Sequence, residues 1–250
     1  MSGHSKWASI KHKKAVVDSR RGAQFSKLTR AIMIAARDGG GDPAANLTLE
    51  NAVRKAREAS MPKDNIERAI AKGTGEAGEA NAIEAVTYEG YGPGGAAILI
   101  QATTDNANRT VAEIRHAFSR HAGNLGATNS VAWMFDRKGE VEVDAMRADE
   151  DLTMEAALDA GAEDMVREGD VFLITTPPQQ LHAVQEALTR KRLPVRSAAI
   201  VMLPKSTVKV EGGDAKRLLA LMEALEEMDD VAKVSSNFDV PAEVLERVAS

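Results

Sequence analysis

The chain has 250 residues, of which 44% are hydrophobic and 4% aromatic, and its formal net charge is −5. This composition is typical of a globular protein with two or three domains and an aliphatic core. The chain contains no cysteine, which excludes disulfides, thiolate metal sites and cysteine nucleophiles and suits a reducing compartment. No apolar run in the sequence is long enough to span a membrane, and the N-terminal residues do not resemble a secretory signal.

The chain begins with a strongly basic segment. Residues 1–72 contain 15 Lys and Arg against 7 Asp and Glu, whereas the remainder of the chain contains 17 against 30. Before Asp38, nine basic residues face a single acid, Asp18. Residues 1–22 show no apolar periodicity, so we expect a mobile arm or a weak helix there. This asymmetry indicates a nucleic-acid-binding arm on an acidic body.

The side chains of this basic segment suit a phosphate backbone. Lysine and arginine displace counterions from phosphates, and an aromatic ring can stack on an exposed base. Judged on charge alone, a solubilising terminus explains such a segment equally well, and Trp7 alone is better explained as a packing anchor. The residues predicted to bind nucleic acid are Lys6, Trp7, Lys11, His12, Lys13, Lys14, Arg20, Arg21, Lys27 and Arg30.

Three amphipathic helices are predicted near the N-terminus. Apolar residues recur at spacings of three or four over residues 25–35 and again over residues 49–56. A third, short helix is predicted at Asp64, which has capping-box spacing to Glu67. A glycine-rich linker follows, so we expect a helical domain over residues 1–78.

Beyond the linker, the apolar period changes to two. Strands are predicted at residues 85–89 and 96–103, followed by an amphipathic helix that Asp105 or Asn106 caps. The tripeptide Arg137-Lys138-Gly139 is then expected to form the turn of a hairpin. Further along, the predicted element order is β-α-β-β-α-β, which is a split β-α-β sandwich.

The order of the predicted elements favours an inserted domain. Residues 79–135 supply two strands and a helix, and the tail supplies a strand, a helix and a strand; neither set covers a sheet by itself. We therefore predict an α+β protein with three domains. After the helical domain, residues 79–135 and 205–250 form one discontinuous α+β domain, and residues 136–204 form a ferredoxin-like domain inserted into it.

The motifs of the common enzyme classes are absent or lack their structural context. Residues 90–95 match G-x-G-x-x-G, but a strand rather than a helix follows them, which favours a hairpin loop over a dinucleotide site. The five histidines lack metal-ligand spacing, and His116 and His121 are expected on diverging helix faces. We therefore expect no catalysis, no cofactor, no metal and no small-molecule substrate.

Several segments of the chain closely resemble the YebC/PmpR family. They are residues 3–14, 35–43, 61–70, 88–95 and 104–110. The resemblance runs essentially end to end and is looser in the third domain. It implies a helical domain followed by two α+β domains, and it gives no catalytic residues to carry over. Members of this family are described as probable DNA-binding transcriptional regulators, mitochondrial relatives as translational activators, and bacterial members also as ribosome-associated factors.

Two functions stay open at this point. A DNA-binding transcriptional regulator acting on promoters is the first expectation, although no helix-turn-helix signature is visible. An RNA-binding factor that acts on the ribosome is the alternative, since structured RNA is recognised by phosphate and shape. The family segment begins at Gly3 with no transit peptide before it, so we expect a cytoplasmic, bacterial protein with no membrane partner.

Overall fold

The computed structural model describes residues 20–75 and 83–241. The chain divides into two compact units, one combining Met1–Ala132 with Thr207–Ser250 and the other consisting of Trp133–Ser206. The chain therefore leaves the first unit, forms the second and returns. The fold is α+β with one domain inserted in another, which confirms the predicted fold class.

Three helices form the first part of the described chain. They are α1 (Arg20–Gly39), α2 (Leu47–Glu58) and α3 (Lys63–Thr74). Helix α1 packs against both of the others, and the side chains of Ile32 and Leu49 are fully buried in the shared core. Their apolar spacing explains why these segments are helical, because each helix needs one apolar face to bury.

The starts of α2 and α3 are fixed in different ways. The side chain of Asn46 accepts a hydrogen bond from the Leu49 backbone N–H at 3.1 Å and donates one to the Ala35 carbonyl at 2.7 Å, so it caps α2 and ties it to α1. Helix α3 follows Pro62, which makes no side-chain capping bond. The capping box predicted at Asp64 is therefore wrong: this residue lies inside the first turn, where the helix dipole favours a carboxylate.

A four-stranded antiparallel sheet lies at the centre of the α+β part of the first unit. In spatial order its strands are β3 (Asn124–Leu125), β1 (Glu84–Tyr91), β2 (Ala97–Thr104) and β9 (Val231–Ser236). Helices α4 (Ala107–Arg120) and α7 (Gly212–Glu227) share its apolar core. A short parallel ladder joins β8 (Val208–Lys209) to β10 (Phe238–Asp239).

The C-terminal segment completes this sheet. Strand β9 runs antiparallel to β2, with Ile100 opposite Val234. Beyond the strand, the Asn237 side chain accepts a hydrogen bond from the backbone N–H of Ala97 at 2.7 Å. The two segments that flank the second unit thus share one sheet and one core.

The second unit has a split β-α-β topology. In chain order its elements are β4 (Phe135–Asp144), α5 (Glu150–Asp159), β5 (Asp164–Glu168), β6 (Val171–Thr176), α6 (Leu181–Arg190) and β7 (Val195–Pro204). The strand order is β5-β6-β4-β7 with antiparallel neighbours throughout, so β6 lies between β4 and β5. Val141, Phe172, Ile174 and Leu188 are buried between the sheet and the two helices. This is the ferredoxin-like arrangement that the element order predicted.

The hairpin predicted at Arg137-Lys138-Gly139 is wrong. Strand β4 continues through these residues, and Gly139 pairs with Ile200 in β7. A Cβ atom at Gly139 would lie 2.6 Å from the Thr176 side chain and 3.0 Å from Leu181 Cβ. The glycine therefore serves close packing beneath α6 and does not mark a turn.

We predict that the first unit folds when residues 136–204 are replaced by a short Gly-Ser linker. Phe135 and Pro204 are paired neighbours at one end of the β4–β7 ladder, so a short linker can join the remaining ends without strain. The expected result is a single cooperative thermal transition, measured by circular dichroism. A broad, non-cooperative transition would show that the domain boundaries predicted from the sequence are misplaced.

Candidate nucleic-acid interface

The predicted nucleic-acid-binding residues fall into three groups in the structure. Lys6, Trp7, Lys11, His12, Lys13 and Lys14 lie outside the described residues. Arg20 and Arg21 form the first positions of α1, where the described chain begins. Lys27 and Arg30 lie further along α1, and the contacts of their side chains are defined.

Lys27 and Arg30 attach α1 to the end of α7. The Lys27 ammonium donates to the backbone carbonyl of Glu226, in the last turn of that helix. The Arg30 guanidinium donates to the Asp229 carbonyl at 2.8 Å and forms an ion pair with Asp230 at 2.8 Å. Cations at a helix C-terminus are stabilised by the negative end of its dipole. These two residues therefore hold the helix that carries the basic arm, a role that sequence reasoning did not foresee.

Asp230 lies at the centre of this attachment. Its side chain is 4% exposed, and besides the ion pair with Arg30 it accepts three hydrogen bonds. The donors are Arg109 at 2.8 Å, Thr110 at 2.7 Å and Thr104 at 3.1 Å. They lie at the end of β2 and the start of α4, so one carboxylate joins these two elements to α1.

The environment of Asp230 favours its charged form. Burial alone would raise the pKa of the carboxyl, but the hydrogen bonds from Arg109 and Thr110, the charge of Arg30 and the hydrogen bond from Thr104 outweigh it. The pKa therefore lies below its ordinary value. Thr104, Arg109 and Thr110 belong to residues 104–110, one of the segments that carry the family resemblance, and Arg30 belongs to the basic segment at the start of the chain.

Glu89 is a second buried carboxylate, and it organises the loop after β3. It is 4% exposed and accepts hydrogen bonds at 2.7 Å from the backbone N–H groups of Asn129, Val131 and Ala132. Burial raises the pKa of Glu89, but these hydrogen bonds outweigh burial and hold it below its ordinary value. An acidic residue at an inward strand position was the signal that sequence reasoning missed.

A groove of about 510 Å³ lies between α4 and the end of α7. His116 and His121 both line it, together with Glu113, Arg120 and Met228. His121 is the C-cap residue of α4 and is not part of the regular helix. The described chain contains no group of three or more His, Asp or Glu residues that could hold a metal ion.

Several charged groups of α2 and α3 bond within their own helix. Arg54 pairs with Glu58 at 3.3 Å and Lys63 with Glu67 at 3.3 Å. Arg68 donates to the Asn65 side chain. Because the two carboxylates in the first half of α3 are matched by only two cations, this part of its surface has no positive excess to attract phosphates.

Across residues 20–75 and 83–241, no helix has the length and apolar character that crossing a membrane requires.

The fold and these contacts define an α+β protein in which a basic helical segment is held against a sheet domain that carries a ferredoxin-like insertion. Comparison with known protein families identifies the family to which the chain belongs. The profile described as the TACO1/YebC protein N-terminal domain matches residues 5–76, and that of the TACO1/YebC second and third domain matches residues 83–238. The chain belongs to the TACO1/YebC family, which confirms the resemblance seen in the sequence.

Relatives match along nearly the whole chain. A protein of Gemmatimonas aurantiaca is 53% identical over 240 residues, covering 96% of this chain and 97% of its own. A protein of Rubrobacter xylanophilus is 51% identical over 249 residues, covering 100% of both chains. Both are named probable transcriptional regulatory proteins, which supports a regulatory role.

A solved structure of similar fold is also known. The crystal structure of a conserved hypothetical protein from Aquifex aeolicus has a TM-score of 0.85 to this chain at 46% identity. The match covers 92% of this chain and 95% of that one. The architecture described above is therefore shared with an experimentally determined relative.

We predict that Asp230→Asn destabilises the first unit by about 2–3 kcal/mol, because the change leaves Arg30 and Arg109 without their carboxylate. The expected loss of unfolding free energy is smaller than for a fully buried ion pair, since the side chains of Arg30 and Arg109 are 22% and 43% exposed. Chemical denaturation of both proteins measures it. An unchanged free energy of unfolding would show that the ion pairs do not hold α1.

The same variant tests the pH dependence. A carboxyl with a lowered pKa in the folded state stabilises the fold above its unfolded pKa and loses that contribution as pH falls through the folded pKa. The difference in melting temperature between Asp230→Asn and the parent should be constant at neutral pH and shrink below about pH 4. A difference that widens in acid would contradict this assignment.

We predict that Glu89→Gln loosens the loop at residues 129–132. An amide supplies one acceptor oxygen in place of two and turns an N–H donor toward backbone donors, at a cost of about 1–3 kcal/mol. Hydrogen exchange at the backbone amides of Val131 and Ala132 should accelerate, while amides in β6 serve as the internal control. Equal exchange in both proteins would show that Glu89 is not what orders the loop.

Proposed function

We propose that the protein is a nucleic-acid-binding regulator of gene expression that holds duplex DNA through its basic N-terminal arm. The observation that carries this proposal is the distribution of charge: nine basic residues and one acid precede Asp38 in a chain of net charge −5. Contacts with phosphates release condensed counterions, so a dense row of cations binds strongly at moderate salt. The acidic remainder of the chain repels phosphates and restricts binding to the basic parts.

The attachment of α1 supports this arrangement. The arm continues directly into α1, whose position is fixed by Lys27 and Arg30 at the end of α7 and by the buried Asp230. An anchored helix presents the preceding residues from a defined point on the protein. The names of the Gemmatimonas and Rubrobacter relatives also support transcriptional regulation.

The protein acts by binding and has no catalytic chemistry in this proposal. The buried carboxylates Glu89 and Asp230 are both held in their charged form by structural hydrogen bonds, which suits anchoring and does not suit proton transfer near neutral pH. We propose that the protein's partners are nucleic acids and that it uses no cofactor and no small-molecule substrate. We propose the cytoplasm as the compartment in which it binds them.

An RNA target on the ribosome is the second candidate, and the surface of α3 favours it. In a helix-turn-helix pair, the first residues of the second helix contact base edges. Here the corresponding residues of α3 include Asp64 and Glu67, and Lys63 pairs with Glu67. These residues favour recognition of the phosphate backbone and shape of a nucleic acid over contacts with its base edges. Structured RNA is recognised through its backbone and shape.

We predict that replacing Lys11, Lys13 and Lys14 with alanine weakens nucleic-acid binding by orders of magnitude at moderate salt. The slope of log affinity against log salt should flatten by up to about three counterions. Fluorescence anisotropy with a labelled duplex DNA and a labelled RNA hairpin, over a series of salt concentrations, measures both quantities.

The matched control replaces three lysines of the acidic body, Lys205, Lys209 and Lys216, with alanine. It changes the net charge by the same amount but leaves the arm intact, so affinity should change little. Equal losses in both variants would indicate a general charge effect. Unchanged affinity and slope in the arm variant would refute the arm as the contact.

A further inference from the structure

The last residue of α6 and the turn that follows it carry three consecutive cations in an otherwise acidic domain. Arg190, Lys191 and Arg192 are all exposed. The second unit, Trp133–Ser206, contains 9 Lys and Arg against 14 Asp and Glu. One third of its basic residues are thus concentrated in a single turn, which we call the basic turn.

None of these three cations forms an ion pair in the described chain. Most other cations of this unit pair with carboxylates: Lys138 with Glu163, Arg167 with Glu150, Arg196 with Asp144 and Asp170, and Lys205 with Asp136. Within the part of the chain that the structure describes, the basic turn makes no such pair. Its cations are available to a ligand.

The neighbouring turn adds a further cation. The backbone N–H of Asp144 donates to the Pro194 carbonyl at 3.0 Å, which brings the β4–α5 turn beside the basic turn. Arg147 is exposed in that turn, as is the acid Asp149 at the start of α5. The Asp144 carboxylate is neutralised by Arg196 at 3.1 Å, so it does not offset the positive charge nearby.

Arg192 occupies a backbone position at which glycine is favoured. Its φ is 58°, and its N–H bonds to the Thr189 carbonyl while the Leu193 N–H bonds to the Leu188 carbonyl. This pair of hydrogen bonds is the Schellman ending of a helix, whose left-handed residue is usually glycine. Keeping an arginine in this conformation lowers stability, and such strain is often found at functional sites.

The other helix of the same unit provides a comparison. Helix α5 ends with the same two hydrogen bonds, and its left-handed residue is Gly161, with φ 96°. In the first unit, Ser60 and Ala122 also have positive φ, so residues other than glycine are tolerated there. These two are small and uncharged, however, whereas Arg192 places a long cation at the strained position.

We propose that the basic turn is a second phosphate-contact site, which binds the backbone of the same nucleic acid that the basic arm holds. This inference rests on the proposed function. Arg190 and Lys191 are also stabilised by the negative end of the α6 dipole. Arg192 lies beyond the helix, so the dipole does not explain why this left-handed position holds an arginine and not a glycine. Two contact sites on one chain raise affinity because the second contact is intramolecular.

The sharpest test is Arg192→Gly in the full chain. Glycine relieves the left-handed strain, so the melting temperature should rise, while nucleic-acid affinity should fall and the salt slope should flatten by about one counterion. Opposite changes in stability and binding are not expected of a residue whose role is structural. Unchanged affinity and an unchanged salt slope in Arg192→Gly would overturn the proposal.

A double variant extends the test. Lys191→Ala/Arg192→Gly should bind a labelled duplex DNA or RNA hairpin about tenfold more weakly at moderate salt, with the slope reduced by about two. The matched control, Arg137→Ala/Lys205→Ala, removes the same charge at the opposite end of β7 and should bind like the parent. Comparing the two probes shows which nucleic acid the turn contacts.

The outcomes separate this proposal from the function on which it rests. If the double variant keeps the affinity and slope of the parent while the arm variant loses both, the turn is not a contact and the arm function stands. If the parent chain binds neither probe, both proposals are refuted. If the control weakens binding as much as the double variant, the effect is one of net charge and the basic turn has no specific role.

Discussion

The buried carboxylate of Asp230 is the interaction on which the first unit depends. It forms an ion pair with Arg30 of α1 and accepts hydrogen bonds from the end of β2 and the start of α4, so three segments distant in sequence meet at one side chain. A buried charge is stable only when it is paired and fully hydrogen-bonded. Removing any donor therefore weakens the attachment of α1, and with it the position from which the basic arm starts.

Charge is unevenly distributed at two scales in this molecule. Along the chain, positive residues are concentrated before Asp38 and negative ones after residue 72. Within the inserted domain, Lys138, Arg167, Arg196 and Lys205 pair with carboxylates, whereas the three cations of the basic turn form no such pair in the described chain. Lys27 and Arg30 belong to the first concentration and hold α1 in place, and the residues before them precede the part of the chain that is anchored. This is the arrangement expected of a protein that binds a polyanion through a few defined contacts.

The elements that the sequence predicted well are those with a clear apolar period. Strand β2 and the helices have such an apolar period. Because a sheet needs both of its faces covered, the sequence also predicted that one domain is inserted in another. Gly139 was misread because a glycine after two charged residues has the composition of a turn, whereas its neighbours Thr176 and Leu181 require it for packing. The role of Asp230 was not predictable, because its partners come from segments whose proximity only the tertiary structure reveals.

Ultraviolet crosslinking in living cells shows which residues contact nucleic acid, if the attached nucleic acid is sequenced and the crosslinked peptides are identified. We predict crosslinks within residues 1–22 and nucleic acid enriched at discrete sites. Promoter DNA would identify a transcriptional regulator, and a ribosomal RNA site would identify a translation factor that uses the same arm. Recovery of the protein without crosslinked nucleic acid, or with crosslinks confined to the acidic body, would contradict the account.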